Sequence, residues 1–195
     1  MEAKATIENA EGKLDVLVNN AGNGNMFCSC QYNFNTCSAD AFMSVDKGTL
    51  SEDLSVIRQA FELNFFGTIQ TTLAFLPLIR KAQRGYGSVQ FVSTGLASNT
   101  FQASPNGVLH NLIAYNTSKT ALNSYVIALA KKMQEEDTGI TVNSVSPGLT
   151  RTKLNGFKPG GATPEQAAEI LLPYAQLGPE DAATTCTLLP IIKGV

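Results

Sequence analysis

The chain is 195 residues long, with 14 Lys and Arg against 16 Asp and Glu and a formal net charge of −2. That length and a hydrophobic content of 44% fit one globular domain, and without a basic stripe there is no footprint for nucleic acid. Export and membrane insertion are not expected either: the start Met1-Glu2-Ala3-Lys4 is polar, and the most apolar run, 65–79, is broken by polar residues.

Residues 2–12 read as the end of a helix. Leu14 to Asn19 is a continuous apolar strand, the kind a parallel sheet covers on both faces. Residues 24–43 are polar, rich in Asn and Cys, and without period; they read as an irregular insertion. Thr49-Leu50-Ser51-Glu52 is a capping box. The helix it opens carries Leu54, Ile57, Phe61 and Phe65 at helical spacing and runs on towards Arg80, with Pro77 near its end. Ser88 to Ser93 is the next strand, and Gly95 to Leu112 reads as a loop with a turn at Pro105-Asn106-Gly107. A helix over 115–136 is predicted to bury Ala121, Leu122, Val126, Leu129 and Met133, with Gly139 stopping it. Ile140 to Val145 is a third strand. Thr163-Pro164-Glu165-Gln166 is a second capping box with Pro at the first helical position. Residues 185–195 supply a final edge strand. The alternation predicts an α/β fold with a parallel, doubly wound, Rossmann-like sheet.

The chemistry centres on Tyr115-Asn116-Thr117-Ser118-Lys119. Residues four apart share a helix face. A Tyr phenol is a poor base at neutral pH, its pKa being about 10. A nearby ammonium favours the phenolate, so the pair is suited to general acid/base work. By itself the spacing is common, and such a pair is more often a solvated helix face.

Three further segments change that weighting: Asn19-Asn20-Ala21-Gly22 after the first strand, Asn64-Phe65-Phe66-Gly67 inside the apolar helix, and Pro147-Gly148 followed by Thr152 after the third strand. N-N-A-G, N-x-x-G, Y-x-x-x-K and P-G-x-x-x-T in this order resemble the short-chain dehydrogenase/reductase family, over roughly 12–178. The carbonyl-reductase-like branch looks nearest. The resemblance implies hydride transfer between NADP (or NAD) and a carbonyl or alcohol carbon. It implies Tyr115 as general acid or base, Lys119 as its tuner and ribose ligand, and Asn64 as the anchor of a proton-relay water. Thr94 stands where the family usually has a Ser. It keeps the hydroxyl but adds a methyl group that stiffens χ1. Alternation along the strand points its neighbour Ser93 to the other face. Asn19, Asn20, Ala21 and Gly22 would lie near the adenine ribose, with Gly22 allowing close backbone approach. Pro147, Gly148 and Thr152 would contact the nicotinamide carboxamide.

The family's opening T-G-x-x-x-G-x-G loop, which holds a pyrophosphate, does not occur in this sequence. The chain therefore reads as one partial domain over 1–195, the later portion of a doubly wound fold. Weak cofactor binding and an unpartnered edge on the first strand are expected. That edge, or the long helices, would pair with a second copy or another chain. The alternative to an enzyme is an inactive fragment that acts only by such association. Cys28, Cys30 and Cys37 lack a paired C-x-x-C and a nearby His, so no metal is expected, and three clustered Cys do not resemble a secreted disulfide framework. The cytoplasm is the default location.

Overall fold

The computed structural model describes residues 2–22, 54–82, 86–157, 159–178, 181, 184–185 and 188–189. The insertion at 24–43, the capping box at 49–52 and all four cysteines lie outside them. Helix α1 (Glu2–Glu11) leads into strand β1 (Val16–Asn19). A long helical segment follows, formed by α2 (Leu54–Phe61), a π-helical turn (Glu62–Gly67) and α3 (Thr68–Ile79). Strand β2 (Ser88–Val92) is followed by a 3₁₀ turn (Gly95–Ala97) and the short α4 (Asn99–Gln102). Then come α5 (Ile113–Glu135), β3 (Thr141–Val145), a second 3₁₀ turn (Lys153–Asn155), α6 (Pro164–Ala175) and β4 (Leu188–Leu189).

The four strands pair in the order β1-β2-β3-β4 and all pairs are parallel. Consecutive strands are thus spatial neighbours, each joined by a helical crossover, which agrees with the α/β reading. β1 forms one edge. On one face of the sheet, Val89 and Phe91 of β2 and Val142 of β3 pack against Leu122, Val126 and Met133 of α5, with Ile79 of α3 closing the cluster. On the other face, Ser88 Oγ and Gln90 Nε2 both donate to the Tyr174 carbonyl of α6, at 3.1 and 2.7 Å. Burial on both faces explains the run of apolar and small residues in these strands.

Several expected boundaries shift. Leu54, assigned to the apolar face of its helix, is exposed, and Ala121 is only half-buried; Ala114, Ser118 and Ala130 are the buried small residues of α5. The loop over 95–112 contains a 3₁₀ turn capped by Thr94 and a short helix capped by Ser98. α5 ends before Gly139. Asp137 takes the left-handed conformation (φ 49°), its N–H donates to Gln134 O, and the Thr138 N–H reaches Met133 O, a Schellman closure. The second capping box is present: Thr163 accepts from Gln166 N at 3.3 Å and Gln166 Oε1 accepts from Thr163 N at 2.9 Å.

Candidate active site

The π turn is where Asn64 enters the core. One extra residue per turn rotates its side chain inward, and irregularities of this kind are frequent at functional sites. Asn64 is fully buried and its Nδ2 donates to Ser118 Oγ at 3.0 Å. Ser118 Oγ in turn donates to the Tyr115 carbonyl at 2.9 Å. Ser118 was not singled out in the sequence, although Tyr115, Ser118 and Lys119 share one helix face by their spacing.

Lys119 is only 4% exposed, and its ammonium donates to the Val92 carbonyl at 2.9 Å, at the end of β2. Burial pulls its pKa down to about 8. β1 brings the backbone of Gly22 to the same place. A methyl group there would sit 3.2 Å from Lys119 Nζ and 3.3 Å from Asn64 Oδ1, so the glycine permits a close approach that any side chain would crowd.

Thr94 follows β2. Its hydroxyl accepts from Leu96 N at 3.2 Å and is paired with the Tyr115 phenol. Ser93 turns away, as strand alternation requires, and donates to Asn123 Oδ1 at 2.8 Å; Ser144 Oγ shares that acceptor at 3.0 Å. One expectation needs correction. Burial, opposed by the bond to Thr94, pushes the Tyr115 phenol up to about 12. Desolvation is the larger cause and prevails over what lowers the value.

The remaining candidates divide. Asn19 is buried and donates to Thr72 Oγ1 at 3.1 Å, tying β1 to α3. Asn20, Ala21 and Gly22 are exposed beyond the end of β1. After β3, Gly148 takes φ 76°. Thr152 caps the second 3₁₀ turn, accepting from Leu154 N at 3.3 Å. The loops after β2 and β3 are joined by Gly95 N, which donates to Ser146 Oγ at 3.1 Å. The sites expected from sequence thus gather at the carboxyl ends of β1, β2 and β3, where open α/β sheets place ligands.

The α/β fold thus carries a Tyr–Thr–Lys–Asn group at the carboxyl end of its parallel sheet. Residues 1–159 match the short chain dehydrogenase family, and the chain belongs to it. It is 31% identical over 195 aligned positions to the chloroplastic short-chain dehydrogenase TIC 32 B of Brassica napus, covering 93% of this chain and 53% of that one. Salutaridine reductase of Papaver bracteatum is 27% identical, with 87% and 67% covered. Among solved structures, salutaridine reductase from Papaver somniferum superposes with a TM-score of 0.68 at 23% identity, over 92% of this chain and 74% of that one. A structure from Escherichia coli CFT073 complexed with NADPH gives 0.66 at 24% identity, over 95% and 65%. The chain spans about half to two thirds of the curated relatives it matches. Among the described residues no helix is long and apolar enough to cross a membrane.

Proposed function

We propose that this chain carries the nicotinamide- and substrate-facing part of an NAD(P)-dependent oxidoreductase acting on a carbonyl or alcohol carbon. The observation that carries the reading is the Tyr115–Thr94 hydroxyl pair, with the buried Lys119 on the same helix face. A phenol held up at about 12 keeps its proton across the neutral range. In that form it can donate to a carbonyl oxygen in reduction; the same group would accept the proton in alcohol oxidation. Thr94 holds that oxygen by its hydroxyl.

The residues at this end of the sheet fit a nicotinamide cofactor. Gly22 leaves the space that a Cβ would fill beside Lys119 and Asn64. A lysine ammonium has three donors, and one of them meets Val92 O; the others suit ribose hydroxyls. Pro147, Gly148 and Thr152 form the loop that would face the carboxamide. When bound, such a cofactor supplies or accepts the hydride. The choice of NADP over NAD follows only the branch resemblance.

The test is titration of NADPH and NADH into the purified chain, followed by ketone reduction by the parent and by Tyr115→Phe. Micromolar binding and turnover that falls about 10²–10⁴-fold in the variant support the reading. Unchanged turnover in Tyr115→Phe removes the mechanism.

A second reading has its own observation. Among the described residues β1 pairs only with β2, and Val18 on it is 42% exposed. Free strand edges recruit strands, so the chain could act by association with a second copy or a longer relative, without turnover. No binding at millimolar cofactor, together with a concentration-dependent mass by light scattering, would favour that role.

A further inference from the structure

Two described residues combine a left-handed backbone with an exposed, bulky, apolar side chain. Leu109 has φ 55° and is 40% exposed; Phe157 has φ 58° and is 59% exposed. For bulky residues this region is an outlier, and exposure to water recovers nothing for either side chain. Asp137, the other described non-glycine residue with positive φ, has a structural task as the cap of α5. Backbone strain kept at an exposed apolar residue motivates a functional reading.

Both residues sit on loops that leave the carboxyl ends of strands, Leu109 between β2 and α5 and Phe157 between β3 and α6. The two loops start side by side, since Ser93 N donates to Val145 O at 2.9 Å. Both turns are held in place. Asn116, next to Tyr115 in the chain, donates from Nδ2 to Leu109 O at 3.0 Å, and Leu112 N donates to the same carbonyl at 3.1 Å. Phe157 N donates to Thr152 O at 2.9 Å. Leu109 is therefore fixed to the helix turn that carries the phenol. Val108, Leu149 and Leu154 are exposed on the same two loops. Neither 94–115 nor 146–164 contains an Asp or Glu; the charged residues there are Arg151, Lys153 and Lys158, with His110 besides.

We propose that Leu109 and Phe157 are opposed walls of the substrate seat, and that this seat takes a bulky apolar ring ketone. The inference rests on the oxidoreductase reading of Tyr115 and Thr94. The Leu109 and Phe157 side chains themselves offer a polyhydroxylated substrate no hydrogen-bond partner. A cationic amine would find no carboxylate in either loop. An apolar ring removes both side chains from water, which is the gain that the strained backbone lacks in the free chain.

The experiment is equilibrium binding of 4-alkylcyclohexanones, from 4-methyl to 4-tert-butyl, to the full chain by ligand-observed NMR, with dihydroxyacetone as the polar comparison. Variants are Leu109→Gly, Phe157→Gly and the double. Glycine adopts positive φ without penalty, so their thermal midpoints should equal or exceed the parent's. Leu109→Asn and Phe157→Asn tolerate the same backbone and serve as a second pair. The parent should bind the tert-butyl compound at least about tenfold more tightly than the methyl one, and the double variant should lose that gradient while staying folded. A flat gradient in the parent, a gradient kept in the double variant, equal binding of dihydroxyacetone, or no binding of any member overturns the proposal. Binding needs neither cofactor nor turnover. A chain that shows the gradient yet transfers no hydride keeps this inference and loses the reductase reading; a chain that reduces ketones without the gradient does the reverse.

Discussion

Asn64 Nδ2 donates to Ser118 Oγ across 3.0 Å, and that hydroxyl in turn donates to the Tyr115 carbonyl at 2.9 Å. The relay joins the π turn to the helix turn that bears the phenol. It is buried, so a lost partner stays unsatisfied, at a cost of about 1–3 kcal/mol. Asn64→Ala should lower the thermal midpoint by roughly 2–10 °C. A double-mutant cycle with Ser118→Ala should give a coupling of at least about 0.5 kcal/mol. Strict additivity would mean that the bond contributes nothing beyond its geometry.

Lys119 predicts a pH dependence. Its pKa is pulled from an ordinary 10.5 to about 8 by burial, so the folded chain gives up a proton that the unfolded chain keeps. The penalty is fully present below about pH 8 and is relieved as pH rises towards 10.5. Tyr115 acts in the opposite sense above pH 10, because its folded value of about 12 retains a proton that the unfolded chain loses. Stability to urea without cofactor should therefore climb by about 2–4 kcal/mol between neutral pH and pH 10 and then decline. Lys119→Met should flatten the climb. A variant with the parent's full slope would assign it to other groups.

Much of this was legible in the sequence, because continuous apolar strands and helical spacing report burial directly. The π turn was legible only as an interruption: N-F-F-G marked the place, while the rotation of Asn64 towards Ser118 depends on α5 packing beside it. Gly139 looked like the stop of α5 and is left-handed (φ 67°), yet the helix closes two residues earlier at Asp137, which is left-handed as well, since Asp tolerates that region when the turn demands it. The depressed phenol was a pairwise expectation. It left out desolvation, which depends on the packing around Tyr115 and which no side-chain pattern announces.

Two glycines separate site from scaffold. At Gly22 a methyl group would meet the ends of two side chains, Lys119 Nζ at 3.2 Å and Asn64 Oδ1 at 3.3 Å. At Gly87 it would meet Ile79 Cγ2 at 2.4 Å and the Ile79 carbonyl at 3.1 Å, in the core under α3. Gly87→Ala should cost about 1–3 kcal/mol by overpacking, read as a lowered urea midpoint. Gly22→Ala should leave that midpoint within about 0.5 kcal/mol while displacing the ammonium and weakening NADPH binding. Equal destabilisation by both would make Gly22 a packing residue.

Asp137 offers the reverse experiment. It holds φ 49° at the end of α5, where its N–H and that of Thr138 close the last turn on Gln134 O and Met133 O. The closure needs the left-handed backbone, not the carboxylate. A negative charge at a helix carboxyl end also opposes the macrodipole. Asp137→Gly removes both costs while keeping the two hydrogen bonds, against a gain in unfolded-chain entropy. The left-handed penalty of about 1–2 kcal/mol exceeds the few tenths of a kcal/mol from the dipole, so relief of backbone strain should dominate. The variant should unfold at a higher urea concentration, by about 0.5–1.5 kcal/mol, with little change when salt is raised. A gain that vanished in high salt would assign the effect to charge; a loss would mean that the Asp137 side chain supports the turn.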